Sequence, residues 1–523
     1  MQTNVSQINA GQSSAGQSSA GQSNTDTNRP PNIVIVLADD MGYGDLGCYN
    51  DQSKIPTPYL DQLASEGMRF TDAHAPASVC TPTRYGLLTG RYCWRTALKR
   101  LALWSWDPPL IEPDRLTLPQ MLKEHGYHTA AIGKWHLGWD WPLQEGGYIG
   151  DEFDGHTLPE DKRQQYSRQI DFQRPIRSGP TARGFDTFFG VDTPNGPPYC
   201  FIENERTVGL PSVWKSKGMF GVLMTDYNAQ IAQFERAHPG PALPAWDLSL
   251  IMPTVVQRAV QYIEQQDQTQ PFLLYLPLTA PHTPIAPSPH FIGKSGAGWY
   301  GDFVHQVDWS VGEIREALAR TGLAKDTLFI VTSDHGPVHR DGTEMSGAVG
   351  SLKQYGHDPS RPWRGMKGDI WEGGHRVPFI AHWPGRIPSH STCHEPILLT
   401  DLMRTIAGLI GYPLPNTAGE DSFDIGPVLL GQATSPIREH LVFHSARGMF
   451  AIRQGPWKLI LGKGSGGMPR PGTPSEDGAA GQLYNLADDP SEQHNLYDEQ
   501  SEIVMYLSQL LARIKQQGRS YPA

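Results

Sequence analysis

The clearest pattern in the chain is an apolar run without alternation, NIVIVLA from Asn32 to Ala38, that stops at two carboxylates, Asp39 and Asp40. Such a run reads as a strand buried on both faces. Three later segments share the design: HTAAIGKWHLG reaches Lys134 and His136, PFLLYLPLTAPHTP reaches His282, and DTLFIVTSDHG reaches Asp334 and His335. Between them the spacing lengthens to that of helices, in YLDQLASEGM after a Thr-Pro start, in LTLPQMLKEHGY ending at Gly126, and in Val304, Val307, Val311, Ile314 and Leu318. This alternation predicts an α/β fold, a doubly wound, mostly parallel sheet covered by helices on both faces. In such sheets ligands bind beyond the carboxyl ends of the strands, so four polar strand ends predict one shared site.

From about Pro415 the rhythm changes to short candidate strands (HLVFHS, GMFAIRQ, WKLILG, QLYNL) and a last amphipathic helix carrying Ile503, Leu507, Leu510 and Ile514. The expected division is a leader at 1–29, a large domain at 30–414 and a small C-terminal α+β subdomain at 415–523, with an antiparallel sheet and a terminal helix. Residues 140–185, 337–361 and 464–480 are rich in Gly, Pro and charge and read as surface insertions. The leader repeats GQSSAGQSSAGQS and reads as disordered, without the basic start and apolar stretch of a secretory signal. By sequence alone this places the protein in the cytoplasm.

Composition narrows the function classes. A chain of 523 residues exceeds what one hydrophobic core usually fills. No apolar run approaches the roughly 20 residues of a membrane span. Lys plus Arg total 43 against 54 for Asp plus Glu, with no basic block that would track a phosphate backbone, so nucleic acid is excluded as a partner. Five scattered cysteines, Cys48, Cys80, Cys93, Cys200 and Cys393, are too few for a disulfide framework.

One of those cysteines stands in a dense motif. In VCTPTRYGLLTGR, Cys80, Pro82 and Arg84 fall at two-residue intervals, and Leu88, Thr89, Gly90 and Arg91 close the segment. Here the chain resembles the formylglycine-dependent sulfatases of the alkaline-phosphatase-like superfamily, with Thr83 where that family usually has Ser or Ala. The resemblance implies that a formylglycine-generating maturase oxidises Cys80 to an aldehyde whose hydrate is the nucleophile. A geminal diol has a chemical advantage: one hydroxyl attacks sulfur and the other expels sulfate, so water need not attack a crowded, charged centre a second time.

Around it, Asp39, Asp40, Asp334 and His335 offer three carboxylates and an imidazole, an oxygen-rich set that suits a hard cation. The resemblance assigns them, with Cys80, to a calcium site; His335 leaves Mg²⁺ or another divalent cation open. It also implies that Arg84 supports the nucleophile, that Lys134 and Lys367 contact the sulfate, that His136 is the base for sulfate elimination, and that His282 protonates the leaving oxygen. Lys367 lies in WRGMKGDIWEGGHRVP, another block the family shares. Asp45 in MGYGDLGCY is expected to be a supporting hydrogen-bond acceptor. His74, His339, His357 and His375 have no motif of their own and read as structural.

The implied activity is hydrolysis of a small-molecule or saccharide sulfate ester. A phosphonate or phosphate ester hydrolase of the same superfamily, or a non-catalytic binder of sulfated polymers, are the alternatives. Many family members are exported or lysosomal, which sets a periplasmic or secreted location against the cytoplasmic one. Trp94, Trp104 and Trp106 offer an aromatic platform for a sugar or aryl ring, or pack as ordinary core.

Overall fold

The computed structural model describes residues 29–215, 238–338, 354–433, 436–468 and 478–522. Residues 1–28 of the expected leader and His339 therefore lie outside the described residues, as do parts of the segments 337–361 and 464–480.

Residues Pro31–Ala523 form one compact unit around a ten-stranded sheet. Its strands, in chain order, are β1 (Asn32–Ala38), β2 (Met68–Phe70), β3 (His128–Lys134), β4 (Thr187–Val191), β5 (Ile202–Glu203), β6 (Arg206–Thr207), β7 (Phe272–Pro277), β8 (Thr327–Ser333), β9 (Phe379–His382) and β10 (Ser391–Cys393). Across the sheet the order is β10-β2-β9-β8-β1-β7-β3-β4-β5-β6. The four apolar runs singled out above are the adjacent central strands β8, β1, β7 and β3, all parallel. Antiparallel pairs enter on both flanks, at β8–β9 and at β4–β5.

The lack of alternation in these runs has a direct cause. Ile33, Ile35 and Leu37 feed the core on one face of the sheet, while Val34, Val36 and Ala38 feed the core on the other. The second face is covered by α1 (Pro58–Glu66), α4 (Ile251–Glu264) and α5 (Gly298–Arg320), the last burying Val304, Val307, Val311, Ile314 and Leu318. The first face is covered by α2 (Cys80–Thr89), α3 (Leu118–Glu124) and α6 (Leu402–Ile410). Thr117 caps α3 by accepting from the Gln120 amide, and Gly126 follows at φ +83°.

The C-terminal pattern folds into a four-stranded antiparallel sheet, β11 (His440–His444), β12 (Phe450–Gln454), β13 (Trp457–Ile460) and β14 (Gln482–Asn485), with α7 (Ser501–Gln517) against it. Leu507, Leu511 and Ile514 are the buried residues of α7; Leu510 sits at the rim. Residues 140–185 differ from the surface insertion expected. Trp141, Leu143, Ile149, Leu158, Ile170 and Ile176 from this stretch join the core of the first sheet face. Single apolar anchors spaced through polar loops bury well but leave no periodic trace.

Candidate active site

Parallel strands end on the same edge, so β1, β3, β7 and β8 deliver their polar residues to one place. The Asp39 amide donates to the Ala280 carbonyl (3.0 Å), the Asp334 amide to the Ala38 carbonyl (3.0 Å), and the Asp40 amide to Asp334 Oδ1 (3.1 Å). Asp40 (φ +70°) and His136 (φ +56°) adopt left-handed backbone conformations. Non-glycine residues pay roughly 1–3 kcal/mol for this, and such strain collects at functional sites.

The Cys80–Thr89 part of the motif is helix α2, with Cys80 its first residue after an extended Val79. The LTGR tail ends it: Gly90 takes φ +64° and its amide closes on the Gly86 carbonyl at 2.8 Å. Arg91 then pairs with Glu112 (3.2 Å) and Glu420 (3.4 Å). The motif thus starts and stops one buried helix. Its entry is braced from the C-terminal sheet, where the Ser78 amide donates to the His444 carbonyl (3.3 Å). The Lys367 loop is braced likewise, with the Ala446 amide on the Gly368 carbonyl (2.9 Å) and the Gly368 amide on the Ser78 carbonyl (2.8 Å).

Cys80 Sγ lies 3.2 Å from His335 Nε2, 3.6 Å from Asp39 Oδ1 and 3.6 Å from Lys367 Nζ. Lys134 Nζ donates to Asp39 Oδ2 (2.7 Å) and Lys367 Nζ to Asp40 Oδ1 (2.7 Å). Arg84 reaches Asp334 Oδ2 (3.1 Å) and the Lys134 carbonyl (3.1 Å). His282 Nε2 is 3.9 Å from Asp40 Oδ2. His136 Nε2 contacts the Leu103 carbonyl (2.9 Å), and its ring faces the Cys80 side chain. Cys80, Arg84, Lys134, His136, His282, Lys367, Asp39, Asp40, Asp334 and His335 thus converge, although they span most of the chain. Lys367 is not the solvated lysine that a Gly-rich loop suggests; its side chain is 11% exposed.

The electrostatics follow from burial among paired charges. Burial raises the Cys80 thiol, but Lys134, Lys367 and His335 together hold it well below its ordinary value. Asp39 is likewise pulled below the carboxylate range, its burial offset by Lys134 and His282. Asp334 goes the other way, up to about 8, through burial and then the neighbouring Asp39 and Cys80 charges. His136 is lowered to about 4 by burial and by Lys134.

The residues fit a divalent cation. Donor atoms of Asp39, Cys80, Asp334 and His335 lie within 4.8 Å of one another, as do those of Asp39, Asp40, Cys80 and His282. Asp40 Oδ2 is buried without a hydrogen-bond partner among the described residues, an oxygen whose desolvation a cation would offset.

The sulfatase family signature matches residues 31–412. This chain belongs to the sulfatase family. It is 33% identical to an N-acetylgalactosamine-6-O-sulfatase of Bacteroides thetaiotaomicron over 94% of both chains. It is 33% identical to human (Homo sapiens) arylsulfatase A over 90% of this chain and 83% of that protein. A solved structure from work on the metabolism of multiple glycosaminoglycans by Bacteroides thetaiotaomicron superposes with a TM-score of 0.77 at 31% identity, covering 93% of this chain and 99% of that one. The activity of the enzyme is hydrolysis of sulfate esters, and the family implies a divalent metal and a formylglycine. No helix among the described residues is long and apolar enough to cross a membrane.

Several groups around this sulfatase site escaped sequence reasoning. Asp45 is the acceptor it was expected to be: besides the neighbouring Gly42 amide (2.7 Å), it takes two donors distant in sequence, Tyr300 (2.5 Å) and His357 Nε2 (2.8 Å). His74 and His375 meet Nδ1 to Nδ1 at 3.1 Å, inside a buried charge network. Its centre is Lys458, 2.9 Å from both Glu372 and Glu492. The three tryptophans divide: Trp94 stacks on Tyr92 and Trp106 is core, whereas Trp104 is 41% exposed.

Proposed function

We propose that this sulfatase acts through a formylglycine made from Cys80 by a separate maturase, beside a bound Ca²⁺. The single observation that supports this reading best is the position of Cys80 at the head of α2, with its sulfur facing His335, Asp39 and Lys367. Asp39, Asp40, Asp334 and His335 would hold the cation, which supplies charge compensation for an anionic ester when bound. Three carboxylates favour calcium; His335 makes magnesium the competitor to test.

In this reading Lys134 and Lys367 bind the sulfate oxygens and Arg84 orients the nucleophile. His282, with Lys367, donates the proton that the departing alcohol oxygen needs. His136 is suited to take a proton during sulfate release, because its low proton affinity keeps it neutral beside Cys80. Residues 30–414 carry the chemistry, and 415–523 brace the Cys80 and Lys367 loops. The substrate class we favour is a sulfated saccharide, in line with the relative that is an N-acetylgalactosamine-6-O-sulfatase.

The test is mass spectrometry of the tryptic peptide carrying Cys80, from protein made with a competent maturase. A loss of about 18 Da, thiol to aldehyde, is expected, with aryl sulfate turnover that Cys80→Ala abolishes and chelation suppresses. An unmodified thiol, or aryl phosphate turned over faster than aryl sulfate, would overturn the reading.

A further inference from the structure

A cavity of about 530 Å³ opens among Trp104, Arg163, Ser167, Arg168, Trp214 and His238, within the ~300–1,000 Å³ range of small-molecule sites. It adjoins the catalytic residues through one residue, Leu103. The Leu103 carbonyl contacts His136 Nε2, and the Leu103 amide donates to Thr81 Oγ1 at 3.1 Å, next to Cys80. The following residue, Trp104, is part of the cavity wall.

The lining has a definite chemistry. Trp104 (41%) and Trp214 (36%) are the two exposed tryptophans among the described residues, and both face this cavity. Each carries an arginine over its ring: Arg163 over Trp104 at 5.5 Å and Arg168 over Trp214 at 4.4 Å. Arg168 is paired with no carboxylate among the described residues, and Arg163 lies 3.8 Å from Glu160 while donating to the Leu158 carbonyl at 2.7 Å. Two polar atoms of the wall, Ser167 Oγ and Arg163 Nε, are buried and lack hydrogen-bond partners among the described residues. Ser167 itself is 7% exposed. Buried donors of this kind are stable only when something satisfies them.

We propose that this cavity binds the part of the substrate beyond the sulfated unit, and that this part is a further sugar bearing a carboxylate or second sulfate. The inference rests on the sulfate-ester reading above and names its substrate class more closely. Indole faces offer apolar area to the flat side of a pyranose ring. Guanidinium groups match carboxylate and sulfate oxygens in paired hydrogen bonds. The unpartnered Ser167 hydroxyl suits a sugar hydroxyl. A simple aryl sulfate would fill the catalytic end and leave this wall unused.

The experiment compares matured wild type, Trp214→Ala and Arg168→Ala on 4-nitrophenyl sulfate and on sulfated mono-, di- and tetrasaccharides cut from a uronate-bearing sulfated glycan. Both residues are exposed, so folding is not at stake. For wild type, KM is expected to fall from mono- to tetrasaccharide. Each variant is expected to raise the tetrasaccharide KM about tenfold, with kcat and aryl sulfate turnover held within about twofold. Arg168→Lys should recover only part of the loss. A KM independent of saccharide length, or equal losses on aryl sulfate and tetrasaccharide, would overturn the proposal. Calorimetry of a desulfated tetrasaccharide with Cys80→Ala protein decides the cavity's role independently of turnover. Binding that weakens on adding Trp214→Ala supports it, and no binding refutes it. Absence of turnover on every sulfate ester would instead sink the sulfate-ester chemistry.

Discussion

Replacing Lys134 by methionine keeps the length of the side chain and deletes its charge, which isolates the ion pair at the centre of the site. Lys134 Nζ and Asp39 Oδ2 lie 2.7 Å apart with both side chains fully buried. At an effective dielectric of 20 their attraction is about 6 kcal/mol. Arg84 stays 3.7 Å from the same carboxylate and keeps part of that compensation. The net loss therefore falls at the low end for a broken buried pair, about 3 kcal/mol. A unit spanning Pro31–Ala523 melts with an entropy of about 1 kcal/mol/K. Lys134→Met should then lower the midpoint by about 3 °C in chelator. Calcium should recover more of this in the variant than in wild type, because the uncompensated Asp39 charge favours the cation; saturation at 100 times Kd adds about 2.7 kcal/mol. Asp39 is held below the ordinary carboxylate range, so its contribution is present above about pH 4 and is lost on acidification. Differential scanning calorimetry with and without calcium reads all of this, and turnover should fall by about 10²–10³. A variant that melts within about 1 °C of wild type in chelator would refute the reasoning.

Three further outcomes are expected. The His444 imidazole is buried, with Nε2 unpartnered among the described residues, and lowered to about 4. It opposes folding as pH falls from about 6.5 to about 4, by on the order of 3 kcal/mol at the acid end. His444→Phe should therefore shift acid unfolding, followed by circular dichroism, to lower pH, and an unchanged midpoint would contradict this. Gly90→Ala places a Cβ 2.8 Å from Gly419 Cα and Met403 Cβ at φ +64°, so a loss of about 2 kcal/mol or more is expected in urea unfolding. Lys458→Met leaves Glu372 and Glu492 facing each other in the core; about 3–5 kcal/mol should be lost. Adding Glu492→Gln should recover part of it, because Glu492 already sits up at about 7 through burial.

Much of the site was legible because its chemistry is carried by strand ends and one helix start. An apolar run that halts at Asp39 and Asp40, or at Asp334 and His335, marks both the strand and the edge where it delivers its ligands. The Cys80–Arg91 segment carries its own start and stop, with Gly90 the only residue type that accepts the helix end without strain. Lys367 and Asp45 were legible as motifs but not as contacts. Which acid Lys367 meets, and that Tyr300 and His357 converge on Asp45, depend on segments brought together by packing alone.

The sequence by itself determined the central strands, the helices that cover them and the polar residues gathered at the strand ends, because periodicity and local motifs are properties of neighbours along the chain. Only the tertiary structure decided which of the tryptophans stays exposed. It alone placed Arg163 and Arg168 over Trp104 and Trp214, and drew residues 140–185 into the core. It also set the C-terminal sheet as the brace for the Cys80 and Lys367 loops. The physical reason is range. Backbone propensity acts over a few residues, whereas burial, ion pairing and the shape of a cavity arise between surfaces that meet only when the chain has folded.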